Sequence, residues 1–205
     1  MATADYARKV DRMFPDDWKA LCVRMHLLAE KVNDYGQDVQ LVGIYLDGLP
    51  IARGVGYALE KRFKRHVPID TILISSKLGL ADNPKMEQLR ASGKKRIYVD
   101  RRTKTGSLGR KLKELDPYAI YAVLEDPSGK ADIGIGGTEV PWFSWPGRIW
   151  GPKVMADSTA PFIGVKVAPA LDGKGFLYNP AKGEATDVFY KKLYERMDRT
   201  EPKEH

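Results

Sequence analysis

Apolar positions fall along this chain in two alternating rhythms. Trp18, Leu21, Cys22, Met25, Leu28, Ala29 and Val32 recur every three or four residues, which is the stripe of a helix with one buried face. Pro15-Asp16-Asp17 opens that helix, because proline suits the first turn and acids there face the positive end of the helix dipole. Gly36 supplies a C-terminal stop. Val39 to Tyr45 is then a short continuous apolar run, the mark of a buried strand. A tight loop, Leu46-Asp47-Gly48-Leu49-Pro50, leads into a helix over 50–63 with Ile51, Ala52, Val55, Leu59 and Phe63 inward. Strands are expected at 70–75, 96–100 and 118–124. A helix over 107–115 has Leu108, Leu112 and Leu115 inward and Arg110, Lys111 and Lys113 outward. Asp126-Pro127-Ser128-Gly129 is a turn signal. This alternation predicts an α/β domain: a central, mainly parallel sheet flanked by helices.

Two stretches break the rhythm. Residues 76–95 are weakly periodic and contain Gly79, Asn83, Pro84 and Gly93. Loops of that length tend to be functional, so a mobile lid with a helical turn is expected; Met86 and Leu89 in a short helix are the other reading. Residues 148–183 are punctuated by glycine and proline, with strand-like pieces at 162–167 and 175–178. A helix follows over 186–199, capped by Thr186 or Asp187, with Phe189, Leu193 and Met197 four residues apart. The expected organisation is an arm (1–14), a core with a small hood (15–147) and a C-terminal extension (148–205), fraying from Thr200. The last helix is expected to dock on the domain or on a second subunit of a homo-oligomer.

Composition narrows the function. A length of 205 residues suits one domain with an appendage. No apolar run approaches the ~20 residues of a membrane helix, so no membrane association is expected. The N-terminus lacks the apolar core of a secretion signal, and Cys22, the one cysteine, cannot form an internal disulfide. Both favour a reducing, cytoplasmic setting. Cys22 sits on the helical stripe and reads as core; His26 falls off it. The formal charge of +7 favours anionic partners. Cations gather at Lys61, Arg62, Lys64 and Arg65, and again from Lys94 to Lys113. A phosphate-rich small molecule, a nucleic acid and a solvated basic face all fit such clusters. Zinc-ligand spacing, a Walker loop, a dinucleotide fingerprint and a readable Ser–His–Asp set are absent from the sequence.

The chemistry concentrates in Arg96-Ile97-Tyr98-Val99-Asp100-Arg101-Arg102-Thr103-Lys104-Thr105-Gly106-Ser107-Leu108. An apolar strand ends in an acid, and a loop of hydroxyls, cations and glycine opens a helix. Small-residue loops entering a helix offer backbone N–H groups to an anion. Thr103 to Ser107 reads as a phosphate cradle and Asp100 as a metal or ribose contact. The plain alternative is a strand–turn–helix whose Thr105 or Ser107 caps the helix.

Val99-Asp100 followed by Thr105-Gly106-Ser107 resembles the phosphoribosyl-pyrophosphate (PRPP) loop of type I phosphoribosyltransferases. In that family two acids follow the strand, and Thr-Gly with another hydroxyl closes the loop. Asp100 takes the first acid's place, and Arg101 stands where the second is expected. Arg102 replaces an apolar residue. Lys104 stands where the purine branch has an Asp proposed to help protonate the base. The stretch Leu41 to Ala52 is similar to the family's pyrophosphate loop region, which maps to Tyr45, Leu46, Asp47 and Gly48; Asp47 replaces the usual cation. Val140-Pro141-Trp142-Phe143, after a Pro-Gly turn, resembles the nucleobase hood of hypoxanthine–guanine and xanthine–guanine phosphoribosyltransferases. Stacking of a base on an aromatic such as Trp142 is worth ~1–3 kcal/mol; a core aromatic cluster of Trp142, Phe143 and Trp145 is equally open. The family's purine-reading Lys has no match at its place, where Glu125 stands and Lys130 is displaced.

The resemblance implies an enzyme that binds PRPP or a nucleoside monophosphate, with Mg²⁺ at Asp100. It would transfer phosphoribose to or from a nucleobase, with pyrophosphate release. Asp100 and Lys104 are the implied catalytic residues. Arg101, Arg102, Thr103, Lys104, Thr105, Gly106 and Ser107 are the implied phosphate contacts, and Trp142 and Phe143 the base contacts. The departures at Asp47 and Arg101, with the surplus cations, support the alternative of a catalytically divergent regulator or nucleic-acid binder.

Overall fold

The computed structural model describes residues 17–36, 38–44, 48–75, 80–81, 83–136 and 184–202. The chain forms two compact units, Arg24–Glu139 and a second made of Met1–Val23 with Val140–His205. In the first, β1 (Val39–Ile44), α2 (Gly48–Phe63), β2 (Ile69–Ile72), α3 (Asn83–Ala91), β5 (Lys95–Arg102), α4 (Ser107–Leu115), β6 (Ile120–Glu125) and β7 (Ile133–Gly134) follow in chain order. A small antiparallel pair, β3 (Ile74–Ser75) with β4 (Leu80–Ala81), precedes α3. The central sheet has five strands in the order β2-β1-β5-β6-β7, every pair parallel. The expected α/β architecture is therefore present.

Burial explains why apolar runs became central strands. All six residues of β1 are buried, as parallel strands covered on both faces require. One face carries Val42, Ile44, Tyr98, Tyr121 and Val123, packed with Met86, Leu89 and Leu112 from α3 and α4. On the other, Gly56 of α2 lies so close to the sheet that a Cβ there would meet the Ile69 side chain at 2.6 Å. The helix stripe 21–32 is buried as the pattern predicts: Leu21, Cys22, Met25, Leu28, Ala29 and Val32 are fully covered. These belong to α1 (Asp17–Asn33), and Gly36 follows with φ 83°. His26, off the stripe, is also buried.

Four expectations change. Residues 83–91 are not a helical turn in a lid but a full helix, whose Met86 and Leu89 enter the core. Pro84 near its start is the signal for it, since proline fits the first turn. The strand expected over 70–75 breaks at Leu73 into β2 and β3. The strand expected over 96–100 runs two residues further, because Arg102 pairs with Glu125 of β6. The strand expected from Tyr118 starts at Ile120; Tyr118 is 82% exposed in a turn.

In the second unit, α5 (Glu184–Thr200) covers the range expected for the last helix, with Leu193 and Met197 fully buried. The Thr200 hydroxyl and the Arg196 guanidinium lie beside Cys22 there, and burial pushes the thiol up to about 12. A thiol so raised stays protonated and unreactive near neutral pH. The arm at 1–14, the hood and the strand-like pieces at 162–167 and 175–178 lie outside the described residues.

Candidate functional site

Renumbered within the sheet, the strand order is 2-1-3-4-5, and its sense reverses between β1 and β5. In open parallel sheets ligands bind outside the carboxyl ends of the strands at such a reversal. Two connections emerge there: 45–48 after β1 and 103–106 after β5. The first begins outside the described residues at Tyr45, Leu46 and Asp47. Gly48, the first residue of α2, is so tight against β5 that a Cβ on it would overlap the Val99 carbonyl oxygen. A Cβ on Gly43 would meet the Leu49 backbone at 2.6 Å. The start of α2 is thus drawn across the ends of both strands, next to Asp100.

The second loop is organised by hydrogen bonds. The Gly106 N–H donates to the Thr103 hydroxyl at 3.2 Å. The Thr103 hydroxyl in turn lies near the Tyr121 hydroxyl and favours its charged form. Tyr121 donates to Asp100 Oδ2 at 3.4 Å, while Asp100 Oδ1 accepts the Arg101 N–H at 2.7 Å. Burial, and then the Asp100 charge, push the Tyr121 hydroxyl well above its ordinary value, so it stays a donor. The ring of Tyr121 fills the space where Gly109 would carry a Cβ, at 2.8 Å. One buried tyrosine therefore joins the acid, the loop threonine and helix α4.

Helix α4 starts on Gly106, with φ 70° and ψ 6°, and no side chain caps it from that position. The left-handed backbone suits glycine. Ser107 N–H reaches the Thr105 hydroxyl at 3.3 Å, so the plain capping alternative is met in part. Thr103 is buried; Lys104 and Thr105 are exposed. Thr103 is pinned to β6 by its N–H, which donates to the Glu125 carbonyl at 3.1 Å.

Arg101 and Arg102, just before the loop, approach Glu125. Arg101, 3% exposed, and Glu125, 2% exposed, face each other at 3.7 Å. Arg24 approaches the same carboxylate at 3.5 Å and Arg102 at 4.0 Å. Glu125, at the position where the resemblance leads one to look for a purine-reading lysine, is the hub of this cluster. Lys130 is held from behind: Asp126 accepts the N–H groups of Ser128, Lys130 and Ala131 at 3.3, 3.1 and 2.9 Å. Burial pulls the Asp126 carboxyl up, but these bonds win and hold it below its ordinary range. A cleft beside this turn, lined by Lys31, Asp34, Tyr35 and Gly136, contains none of the loop residues.

The structure thus brings Asp100, Thr103, Lys104, Thr105, Gly106, Ser107 and Gly48 to one end of the sheet. Trp142 and Phe143 lie outside the described residues. Sequence reasoning missed Tyr121; its signal is an aromatic hydroxyl in an otherwise aliphatic strand, facing an interior glycine of the following layer. Among the described residues no group of three or more His, Cys, Asp or Glu side chains could hold a metal ion. Asp100 offers one carboxylate, the kind of single contact Mg²⁺ uses when phosphate oxygens and waters complete its shell. No described helix is long and apolar enough to cross a membrane.

Comparisons with known proteins add little. No family model matches the chain, and no curated protein matches it. Among solved structures it is similar to a purine phosphoribosyltransferase from Pyrococcus horikoshii Ot3, at 22% identity and TM-score 0.40, over 60% of this chain and 85% of that one.

Proposed function

We propose that this protein binds a ribose phosphate, PRPP or a nucleoside monophosphate, at the ends of β1 and β5 and transfers phosphoribose to or from a nitrogenous base with pyrophosphate release. The observation that carries the reading is the pair of hydrogen bonds, Gly106 to Thr103 and Tyr121 to Asp100, at the reversal point of the sheet. It sets a carboxylate beside a loop that opens a helix on glycine. In this reading the loop takes the 5′-phosphate and Asp100 faces the ribose. Asp100 would also hold Mg²⁺, which supplies charge neutralisation for a departing pyrophosphate. Lys104, exposed on the loop, adds a cation where charge develops.

A second reading keeps the pocket without turnover. It is favoured by Arg101, which stands at the second acid's position and turns into the Glu125 cluster instead of toward a ribose. The protein would then act as a ligand-sensing regulator or bind nucleic acid through its basic surface. Isothermal titration with PRPP and Mg²⁺ tests the shared premise: micromolar binding is expected, and Lys104→Glu should abolish it. A pyrophosphate-release assay over a panel of nucleobases separates the two readings. Release with one base supports transfer. Binding without release supports the regulator. Nucleic-acid affinity that falls steeply with salt would mark the basic surface as the functional one.

A further inference from the structure

Four cations lie on or beside helix α4, and the structure sorts them into two kinds. Lys111 pairs with Glu114 at 3.2 Å and Lys113 with Asp132 at 2.5 Å. Arg110 and Lys130 do neither. Both are exposed, and both reach the same backbone oxygen: Arg110 donates to the Thr105 carbonyl at 3.3 Å and Lys130 at 3.5 Å. Neither has a carboxylate partner among the described residues. Two like charges drawn to one neutral oxygen repel each other, and a dianion between them relieves that repulsion.

The arrangement is built into the backbone. The Lys130 N–H is held by Asp126, and its stem lies across Gly106, where a Cβ would meet it at 2.9 Å. Glycine at 106 thus serves twice, opening the helix and admitting the lysine stem. The Arg110 N–H bonds to the Gly106 carbonyl at 3.0 Å, which fixes its place on the first turn of α4.

We infer that Arg110 and Lys130 form a clamp for a phosphate monoester over the 103–107 loop, and that they discriminate ligands carrying a terminal phosphate from those without one. The clamp rests on the ribose-phosphate reading above and deepens it, because it names two side chains outside the loop that grip the phosphate. Binding of the dianion draws both side chains off the Thr105 carbonyl and onto the phosphate oxygens. Arg110 contributes a planar fork and Lys130 a point charge.

The test uses the full chain with PRPP, ribose 5-phosphate, ribose and inorganic phosphate as probes. Lys130→Met keeps the stem over Gly106 and removes the charge; Arg110→Gln does the same at the second site. Each variant should weaken PRPP and ribose 5-phosphate by about tenfold, the scale of one charge-assisted hydrogen bond. Lys130→Arg should restore most of the loss, and the double variant should lose less than the product of the two. Lys111→Met, which removes an equal charge from the same helix, should leave affinity unchanged. Thermal melting checks that each variant is folded. Equal PRPP affinity in wild type, Lys130→Met and Arg110→Gln overturns the clamp and leaves the loop reading standing. An equal loss in Lys111→Met overturns it in favour of general charge attraction. Inorganic phosphate binding as tightly as ribose 5-phosphate reduces the clamp to an anion site without ligand discrimination. No binding of any phosphate probe by wild type removes the underlying reading, and the clamp with it.

Discussion

The two ends of β5 treat charge in opposite ways. At the amino end, Arg96 donates to Asp116 through Nε at 2.5 Å and through a second nitrogen at 3.0 Å. The Tyr98 hydroxyl adds a third bond to the same carboxylate at 3.0 Å and lies 3.0 Å from Met86 Sδ. One cation meets one anion, with further bonds filling the remaining capacity. At the carboxyl end, three arginines share Glu125; Lys104 stands on the loop beyond, and Arg110 and Lys130 reach the Thr105 carbonyl of that loop. The matched end fixes the strand between α3 and the 116–119 turn. The carboxyl end gathers three arginines around one shared carboxylate, and it is the end where a parallel sheet receives its ligands. On the proposed reading, stability and recognition are divided along a single strand.

The sharpest way to break the matched end is Asp116→Asn. Asp116 is fully buried, so the substitution leaves Arg96 in the interior without its counter-charge. A loss of about 3–5 kcal/mol is expected, read as a drop in melting temperature on the order of 10 °C. The same pair sets an acid limit. Burial raises the Asp116 carboxyl, but the bonds from Arg96 and Tyr98 outweigh it and hold it below its ordinary value. A depressed acid stabilises the fold above its unfolded pKa of about 3.9, and that gain is lost as pH falls through the folded value. The gap in melting temperature between wild type and Asp116→Asn should be constant from pH 7 to about pH 5 and close below about pH 4. A gap that persists in acid would mean that packing, not charge, carries the effect.

Glu125→Gln probes the other end and should cost less, about 2 kcal/mol, because its ion pairs at 3.5–4.0 Å are looser than the 2.5–3.0 Å bonds of Asp116. The contrast lies in the response to anions. Removing the Glu125 charge makes this end of the sheet more positive, so pyrophosphate should raise the melting temperature of Glu125→Gln more than that of wild type. Asp116→Asn should show no such added response. Equal responses in the two variants would erase the functional difference between the ends.

Most of the scaffold could be read in the sequence because its signals are local. The stripe 21–32, the buried run at β1 and the turn at 126–129 each lie within a few residues. What could not be read depends on partners far along the chain. Arg101 and Arg102 look like phosphate contacts when charge is counted locally. The ladder with β6, 24 residues on from Arg101, extends β5 and turns Arg101 toward Glu125. The helix 83–91 hides behind Gly79, Asn83 and Gly93, and only its core contacts distinguish it from a loop. Within the loop, the hydroxyls and glycine were legible. The link from Thr103 to Asp100 through Tyr121 was not, because it depends on the register between neighbouring strands.

Tyr121 also gives the smallest and most specific test of the comparison. Tyr121→Phe keeps the ring against Gly109 and removes the hydroxyl alone. Lost stability should be about 1 kcal/mol, the net worth of an ordinary buried hydrogen bond. The larger consequence is expected in ligand binding: Asp100 loses its donor from the core, Thr103 loses its neighbouring hydroxyl, and the loop loses its tie to the strand. PRPP affinity should fall about fivefold, while the melting temperature without ligand shifts by only a few degrees. The matched end offers the control. Tyr98→Phe removes the equivalent hydroxyl from Asp116 at similar cost in stability and should leave PRPP affinity unchanged. If both phenylalanine variants bind as wild type does, the acid at the carboxyl end needs no buried donor, and the two ends of β5 differ only in their count of charges.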